Sequence, residues 1–243
     1  MKVAYKILPN LINYQKYINL QNFLVNLKIT NKTQTDLILC TQHTPTYTLG
    51  RRLRPDTQEL KKLISLGADY LETARGGKIT FHGPGQLLVY PILNLKNFKL
   101  GVRDYVSNLE NSIISTCGDY NIKAEKGAET GVWVENDRKI AAIGIQVQRY
   151  ITSFGFGLNC NTDLKWFDHI IPCGLVGKSA TSISKELSTN VEIESIIPVY
   201  LKNFKKEFLI KNNVDLDEKN EQSLSSLELV DHVLNNEIDK FLN

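Results

Sequence analysis

The 243-residue sequence predicts an α/β (α+β) domain in which helices flank a mixed sheet. Three observations support this prediction: separate stretches with helical apolar spacing, β-branched and aromatic runs of strand length between them, and one clear hairpin. In the hairpin, residues 131–134 and 140–147 flank the polar turn Glu135-Asn-Asp-Arg. A hairpin is antiparallel while helices and strands alternate elsewhere, so we expect a mixed sheet.

Four predicted helices each present one apolar face. In the first, Tyr17, Leu20, Leu24 and Leu27 share that face. The second and third end at a glycine, which is common at helix C-termini. The helices cover residues 13–28, 58–66, 102–117 and 196–208, with Gly67 and Gly118 as the two terminating glycines.

Four further segments have strand character beside the hairpin. They are short runs of apolar, β-branched or aromatic residues bounded by turn residues. Since no internal repeat or linker separates them, they are expected to join the hairpin in one domain. The segments are residues 37–40, 78–82, 87–90 and 150–158.

Residues 212–243 form an acidic C-terminal extension to the domain expected at residues 1–211. The extension holds eight acidic residues against two lysines. Leu227, Val230, Leu234 and Phe241 would form an apolar face if it were helical. The favoured interpretation is a surface helix packed on the domain, and the alternative is a tail that docks a partner.

Composition excludes several classes of function. A formal net charge of +3 without an aromatic-interleaved basic patch argues against nucleic-acid binding. No apolar run approaches the roughly 18 residues of a membrane span. The four cysteines lack a Cys-x-x-Cys pair, so we expect reduced thiols and no metal site. Five lysines and no acidic residue precede Asp36, a pattern typical of organelle import.

The most informative segment is Arg75-Gly-Gly-Lys-Ile-Thr-Phe-His-Gly-Pro-Gly-Gln. Four of its twelve residues are glycines, which let the backbone approach a ligand closely. Between them, Lys78-Ile-Thr-Phe is expected to form a short strand that ends at His82. This order suggests the wall of a small-molecule pocket, although two ordinary turns around a strand would also fit it.

This segment closely resembles the motif of the octanoyl/lipoyl-protein transferases, which share a superfamily with the biotin and lipoate protein ligases. The resemblance covers roughly residues 13–210 and continues through further motifs in the family's order. Within the family, the sequence most resembles the animal mitochondrial members. The motifs are Thr130-Gly-Val-Trp-Val, Arg138-Lys-Ile-Ala-Ala-Ile-Gly, Ile151-Thr-Ser-Phe-Gly-Phe-Gly-Leu-Asn and Ile171-Pro-Cys-Gly.

The resemblance implies an acyltransferase of lipoate biosynthesis with a biotin/lipoate protein ligase-like fold. Such an enzyme transfers octanoyl or lipoyl from acyl carrier protein to a lysine of lipoate-dependent proteins. The implied acceptors are the lipoyl domains of 2-oxoacid dehydrogenases and the glycine cleavage H protein. We expect a mitochondrial monomer that needs no cofactor, nucleic acid or membrane; a cytoplasmic location is the alternative.

Cys173 is the expected nucleophile. It would hold the acyl group as a thioester before the group is transferred to the acceptor lysine. Pro172 and Gly174 flank it, so regular helix is not expected to bury the thiol. A free thiol is mostly protonated at neutral pH and needs a nearby cation. The family pairs this position with Lys139. His169, four residues before Cys173, is a less favoured base, and His82 is expected to line the pocket or to orient the thioester.

The resemblance also implies an acyl-binding pocket built from three segments. One departure from the family lies there, because Phe154 replaces a histidine that many members have and Gly157 replaces an alanine. Chain-length preference is therefore open. The expected substrate-binding residues are Arg75, Gly76, Gly77, Lys78, Ile79, Thr80, Phe81, His82, Ala142, Ile143, Gly144, Gly155, Phe156 and Gly157.

Two alternative functions have to be weighed. One is an ATP-dependent lipoate or biotin protein ligase, and the other is a non-catalytic lipoyl-domain-binding protein. Gly174-Leu-Val-Gly-Lys-Ser resembles a phosphate-binding loop, but Pro172 stands where the loop needs its first glycine. The sequence therefore favours the transferase over the ligase, and the Cys173–Lys139 pair disfavours the non-catalytic protein.

Overall fold

The computed structural model describes residues 3–51, 57–170, 178–210, 227–229, 236 and 238–240. Nine of the described strands form one mixed sheet in the order β12-β1-β2-β6-β10-β9-β8-β7, with β11 beside β9. These strands are β1 (Val3–Ile12), β2 (Asp36–His43), β6 (Gln86–Ile92), β7 (Ala124–Lys126), β8 (Val132–Val134), β9 (Arg138–Gln148), β10 (Ile151–Asn159), β11 (Ser179–Ala180) and β12 (Leu227–Leu229).

A smaller sheet lies beside the large one. Its order is β4-β3-β5, with β3 parallel to β4 and antiparallel to β5. This sheet carries the glycine-rich segment at the edge of the main sheet. Its strands are β3 (Thr46–Leu49), β4 (Asp69–Glu72) and β5 (Thr80–His82).

Helices cover both faces of the main sheet, which confirms the expected fold class. Helices α3 and α5 pack on one face against Val89 and Phe156, and α1 packs on the other against Leu88 and Tyr90. The alternation of strand residues between the two faces produces this division. The helices are α1 (Tyr14–Ile29), α2 (Thr57–Ser65), α3 (Val102–Asp119), α4 (Ile183–Leu187) and α5 (Ile193–Lys205), the last continuing as a π-helical turn (Lys206–Ile210).

The predicted elements lie within a few residues of those observed, and the hairpin of β8 and β9 is present with its polar turn. Strand β1 is not among the predicted elements. It pairs parallel with β2 and brings the N-terminal residues into the main sheet. None of the helices that the structure describes is both long and apolar enough to cross a bilayer.

Residues 236 and 238–240 of the C-terminal extension are helical, as expected, whereas Leu227–Leu229 differs from the expectation. Leu227–Leu229 forms a strand parallel to β1, not a helix, because the edge of β1 offers unpaired backbone groups. Ile238 is buried in the cluster around α1, and Lys6 Nζ lies 2.5 Å from Asp239 Oδ1. These described residues thus pack on the domain. The boundary at residue 211 stays a prediction.

Candidate active site

The floor of the candidate site is a part of the main sheet that lacks bulky side chains. In the antiparallel pair β9–β10, Gly144 lies opposite Gly155, and Ala142 lies opposite Gly157. All four residues face the side of the sheet that also carries Leu88 and Tyr90 of β6. Three glycines and one alanine on a single face leave a shallow groove along the strands.

The glycine-rich segment covers this groove from the edge of β9. The backbone N–H of Gly76 donates to the carbonyl of Ile145 at 3.0 Å. Arg75 is 6% exposed, and its guanidinium donates to the carbonyls of Thr48 (2.7 Å) and Lys78 (3.1 Å). Arg75 thus holds the segment in place through backbone contacts.

Floor and cover enclose a cavity of about 260 Å³, near the lower limit for small-molecule pockets. Such a volume suits a slender ligand. Thirteen of the fourteen expected substrate-binding residues line it, as do Lys139 and several residues that were not expected. The expected ones are Arg75, Gly76, Gly77, Lys78, Ile79, Thr80, His82, Ala142, Ile143, Gly144, Gly155, Phe156 and Gly157; those that were not expected include Tyr14, Leu88, Tyr90 and Thr130. Phe154, the position of the departure from the family, also lines the cavity.

Phe81 is the expected pocket residue that does not line the cavity. It lies between Thr80 and His82 on β5, so strand alternation directs it to the opposite face. There it is fully buried and stacks on Trp166 at 4.9 Å between ring centroids. Phe81 therefore supports the pocket wall from behind.

Lys139 occupies a confined position at the start of β9. Its side chain is buried, and Nζ donates to the Thr130 carbonyl at 3.3 Å and lies 4.5 Å from the centre of the Trp133 ring. Gly131, with φ +132°, makes room, since a Cβ there would lie 3.2 Å from Lys139 Cε. The lysine is thus positioned by its neighbours and is not a solvated charge at a strand end.

A hydrogen-bond chain connects β5, β6 and β10 behind the cavity. His82 Nδ1 is 2.8 Å from Gln86 Oε1, and Gln86 Nε2 donates to Asn159 Oδ1 at 2.9 Å. Asn159 Nδ2 in turn donates to the carbonyl of Thr181 at 2.9 Å, and the Thr181 N–H donates to the carbonyl of Lys139 at 3.0 Å. These hydrogen bonds fix the position of His82 relative to Lys139.

An aromatic cluster lies beside His82 and Tyr90. The Tyr14 ring stacks on His82 with centroids 5.3 Å apart. His43 Nδ1 donates to the Ile12 carbonyl at 2.7 Å, so its Nε2 accepts from the Tyr90 hydroxyl at 2.8 Å. Burial lowers the pKa of His43 to about 4, so this ring is neutral and supports Tyr90.

A family model, the lipoyl protein ligase A/B catalytic domain, matches residues 13–205. The chain belongs to this family. A zebrafish (Danio rerio) relative, named mitochondrial octanoyl-[acyl-carrier-protein]:protein N-octanoyltransferase LIPT2, is 50% identical over 79% of this chain and 85% of its own length. The human relative of that name is 47% identical over 70% and 74% of the two chains. These relatives confirm the assignment to the octanoyltransferases and to mitochondria.

Solved structures of the ligases have the same fold. Lipoate-protein ligase A with bound ATP gives a TM-score of 0.74 at 9% identity, over 100% of this chain and 94% of that one. The Ta0514 protein of T. acidophilum, a putative lipoate protein ligase with bound lipoic acid, gives 0.71 at 11% identity over 99% and 94%. At these identities the likeness shows the fold, and it confirms the ligase-like architecture.

Besides Lys139, the candidates for nucleophilic attack or proton transfer in this octanoyltransferase are Cys173 and His169. Cys173 lies outside the described residues, so its pairing with Lys139 stays a prediction. His169 ends a short 3₁₀ helix, Leu164–His169, and is partly exposed. Among the described residues, no group of three His, Cys, Asp or Glu side chains could hold a metal ion.

Phe154, where this chain departs from many family members, has an unusual backbone. Its φ is +56°, a region that residues with a side chain rarely occupy. The Phe154 N–H donates to the buried Gln21 Oε1 at 2.7 Å, which helps hold that conformation. The residue lines the cavity, and roughly 16 Å of strand β10 separates it from Asn159.

Sequence reasoning missed several residues of the site. Tyr14 and Tyr90 lie outside the family motifs, and the motifs that contain Trp133 and Asn159 give no separate role to either residue. The one available signal for Gln86 is its place at the end of the glycine-rich segment. Their roles emerge only from contacts between distant parts of the chain.

Proposed function

We propose that this chain transfers an octanoyl group from acyl carrier protein to a lysine of a lipoyl domain, acting as a monomer through a thioester on Cys173. The proposed acceptors are the lipoyl domains of 2-oxoacid dehydrogenases and the glycine cleavage H protein. One observation carries the proposal. The cavity is a narrow groove over Gly144, Gly155 and Gly157 that reaches a buried lysine at the start of β9.

The groove suits a linear acyl chain. Its floor is backbone and small side chains, so methylene groups can pack against it closely, each gaining about 0.8 kcal/mol on burial. Seven alkyl carbons could supply several kcal/mol of binding.

The properties of the other cysteines support Cys173 as the nucleophile. Cys40, Cys117 and Cys160 are buried, and burial raises the pKa of the first two thiols to about 12. Burial also raises the pKa of Cys160. A thiolate is the reactive form, so these three are poor nucleophiles at neutral pH.

In the first step, the Cys173 thiolate attacks the carbonyl carbon of the octanoyl thioester. The new carbon–sulfur bond forms as the bond to the phosphopantetheine sulfur breaks, and the released thiolate takes a proton. Lys139 as an ammonium stabilises the attacking thiolate and can supply that proton. Exchange of one thioester for another is nearly neutral in energy, so the step needs no ATP.

In the second step, the amine of the acceptor lysine attacks acyl-Cys173. A carbon–nitrogen bond forms, the carbon–sulfur bond breaks, and the amine loses one proton. Neutral Lys139 accepts this proton, which restores the ammonium–thiolate pair. The product is an amide on the lipoyl domain.

An ATP-dependent ligase is the second candidate function, because ligases share this fold. The phosphate-binding loop pattern is incomplete at Pro172, and the 44–50% identical relatives from zebrafish and Arabidopsis are both named as octanoyltransferases. A non-catalytic lipoyl-domain-binding protein would not need a buried lysine in an acyl-sized groove. Both observations favour the transferase.

The deciding experiment compares acyl donors in one assay with a lipoyl domain as acceptor. Octanoyl-acyl carrier protein without nucleotide should give an octanoylated lysine and a transient acyl adduct on Cys173, both measured by intact mass. Octanoate with ATP and magnesium should give neither. Modification from octanoate and ATP alone would move the assignment to the ligase.

Two variants test the catalytic pair. Cys173→Ser should abolish turnover, because a hydroxyl is a far weaker nucleophile without a dedicated base. Lys139→Ala should shift the pH dependence of Cys173 alkylation to higher pH. Turnover by Cys173→Ser near the wild-type rate, or an unchanged alkylation profile for Lys139→Ala, would contradict the mechanism.

A further inference from the structure

Nε2 of His82 is a buried polar atom that has no role in the two proposed reaction steps. His82 is 7% exposed and lines the cavity. Its Nε2 has no hydrogen-bond partner among the described residues. Such unpaired buried atoms are uncommon and costly, and their presence at a ligand cavity points to a partner that the ligand supplies.

The hydrogen-bond chain behind the cavity fixes the proton on the other nitrogen. Gln86 Nε2 donates to the backbone carbonyl of Phe81 (3.2 Å) and to Asn159 Oδ1 (2.9 Å). Backbone carbonyls only accept, and Asn159 Nδ2 is likewise fixed by the Thr181 carbonyl, so neither amide can be reversed without losing bonds. Gln86 Oε1 therefore accepts from His82 Nδ1–H.

With the proton on Nδ1, Nε2 carries a bare lone pair. Burial, and then the charge of the Arg75 guanidinium, lowers the pKa of His82 to about 3, so the ring stays neutral at working pH. The other groups around it are neutral Tyr14 and His43. With this tautomer, Nε2 has no proton and cannot donate a hydrogen bond to the carbonyl of a thioester.

We propose that Nε2 of His82 accepts a hydrogen bond from the amine of the incoming lysine and so orients that amine for its attack on the acyl group. The inference rests on the proposed function. The acyl chain and its thioester carry no N–H or O–H, whereas a neutral amine has two N–H bonds besides its lone pair. One N–H is held by His82, the other proton leaves to Lys139, and the lone pair forms the amide bond as the carbon–sulfur bond breaks.

The test separates the two half-reactions. Acyl-enzyme is formed with octanoyl-acyl carrier protein and followed by intact mass, then chased either with a lipoyl domain or with the free thiol of the carrier protein. Attack by a thiolate needs no N–H acceptor, so the thiol chase is the internal control. His82→Leu removes the acceptor, and His82→Gln restores an acceptor oxygen near the position of Nε2.

We expect His82→Leu to slow transfer to the lipoyl domain about tenfold or more, the scale of losing one oriented hydrogen bond, with the thiol chase nearly unchanged. His82→Gln should recover part of the loss. Equal slowing of both chases would assign His82 a structural role and overturn the proposal. Slowing of only the two reactions with the carrier protein, acylation and the thiol chase, would indicate that the pantetheine amide N–H donates to Nε2. That result would also overturn the proposal.

A measurement on the wild-type protein covers the case in which both variants unfold. The ¹⁵N chemical shifts of the labelled imidazole distinguish the two tautomers, and Nδ1 should carry the proton from neutral pH down to about pH 4. A proton on Nε2 would overturn the proposal. If no acyl-Cys173 forms in the wild type, the proposed function fails instead, and this outcome is distinct from a failure of the His82 inference.

Discussion

The ammonium nitrogen of Lys139 lies 4.5 Å from the centre of the Trp133 ring on the neighbouring strand. The nitrogen of Lys178, the first described residue after the segment that contains Cys173, lies 5.1 Å from the same ring. Aromatic faces attract cations, so the indole stabilises both ammonium groups, of which that of Lys139 lines the cavity. Trp133 is therefore a positioning residue for Lys139.

Trp133→Leu should slow acylation of Cys173, because the lysine loses the face that holds it. A buried cation–π contact is worth about 1–2 kcal/mol, so we expect a loss of roughly five- to thirtyfold in the single-turnover acylation rate. Trp133→Phe keeps an aromatic face and should lose less. Both variants remove the Nε1–H bond to the Glu129 carbonyl, so equal rates for Phe and Leu would exclude a role for the ring.

Gly144→Ala should close the groove. A Cβ at residue 144 would lie 2.9 Å from the Gly76 carbonyl oxygen and 3.0 Å from Arg75 Cδ, so the covering segment must move. We expect octanoyl transfer to fall at least tenfold, measured as kcat/KM for the carrier protein, with the circular dichroism spectrum unchanged.

The matched control is Gly118→Ala on α3, where a Cβ meets nothing within 4 Å. Alanine is favoured over glycine in a helix by about 0.5–1 kcal/mol, so this variant should be fully active and slightly more stable. Normal transfer by Gly144→Ala would show that the acyl chain does not lie along this part of the sheet.

Phe154 should influence which acyl length is accepted. Phe154→Ala enlarges the cavity far from Lys139, and each extra methylene that becomes buried gains about 0.8 kcal/mol, or roughly fourfold in kcat/KM. We expect preference to shift from octanoyl toward decanoyl and dodecanoyl carrier protein, and Phe154→Trp to shift it toward hexanoyl. An unchanged ratio of kcat/KM values across donors in both variants would contradict this role.

The periodic parts of the fold could be predicted from the sequence. Helix α3 and the β8–β9 hairpin have strong local patterns, and the structure has them nearly where expected. Strand β1 ends in Leu-Pro-Asn-Leu-Ile and lacks regular alternation, and its register with β2 shifts between Ile7 and Leu11. Its formation depends on the partner strand, which no local pattern reveals.

The site was predictable through its motifs but not through its geometry. Lys139 and Ala142 are three residues apart and would face opposite sides of a regular strand. The β8–β9 register shifts at Val132/Trp133, so β9 holds an extra residue there and both residues line one cavity. Tyr14 reaches His82 across 68 positions of sequence, and only tertiary packing brings them together.

Lys28→Gln should destabilise the domain without touching the site. Lys28 Nζ lies 2.7 Å from Asp36 Oδ1, and both side chains are buried. Asp36 also accepts from the Asn94 N–H and from Asn97 Nδ2. Removing one partner leaves a buried charge, which costs about 3–5 kcal/mol in the free energy of unfolding.

The matched control is Lys202→Gln on α5. Lys202 pairs with Asp119 at 3.6 Å, but its side chain is 66% exposed, and such pairs contribute about 0–1 kcal/mol. Urea unfolding of the two variants should therefore differ by several kcal/mol. Similar values would show that the Lys28–Asp36 pair is dispensable.

Acid should destabilise the folded chain through two buried histidines. Burial lowers the pKa of His43 to about 4, and burial together with Arg75 lowers that of His82 to about 3, whereas an unfolded histidine titrates near 6.5. Between pH 6.5 and pH 4 the unfolded state binds more protons than the folded state, so stability falls as the pH falls. Above pH 6.5 both states are neutral at these positions and the effect is absent.

Between pH 6.5 and pH 4, each histidine contributes a slope of about 1.4 kcal/mol per pH unit in the free energy of unfolding. His82→Gln should remove one of the two slopes while leaving the variation above pH 7 unchanged, as measured by urea titrations at successive pH values. A wild-type slope that His82→Gln does not reduce would show that His82 is protonated in the folded protein.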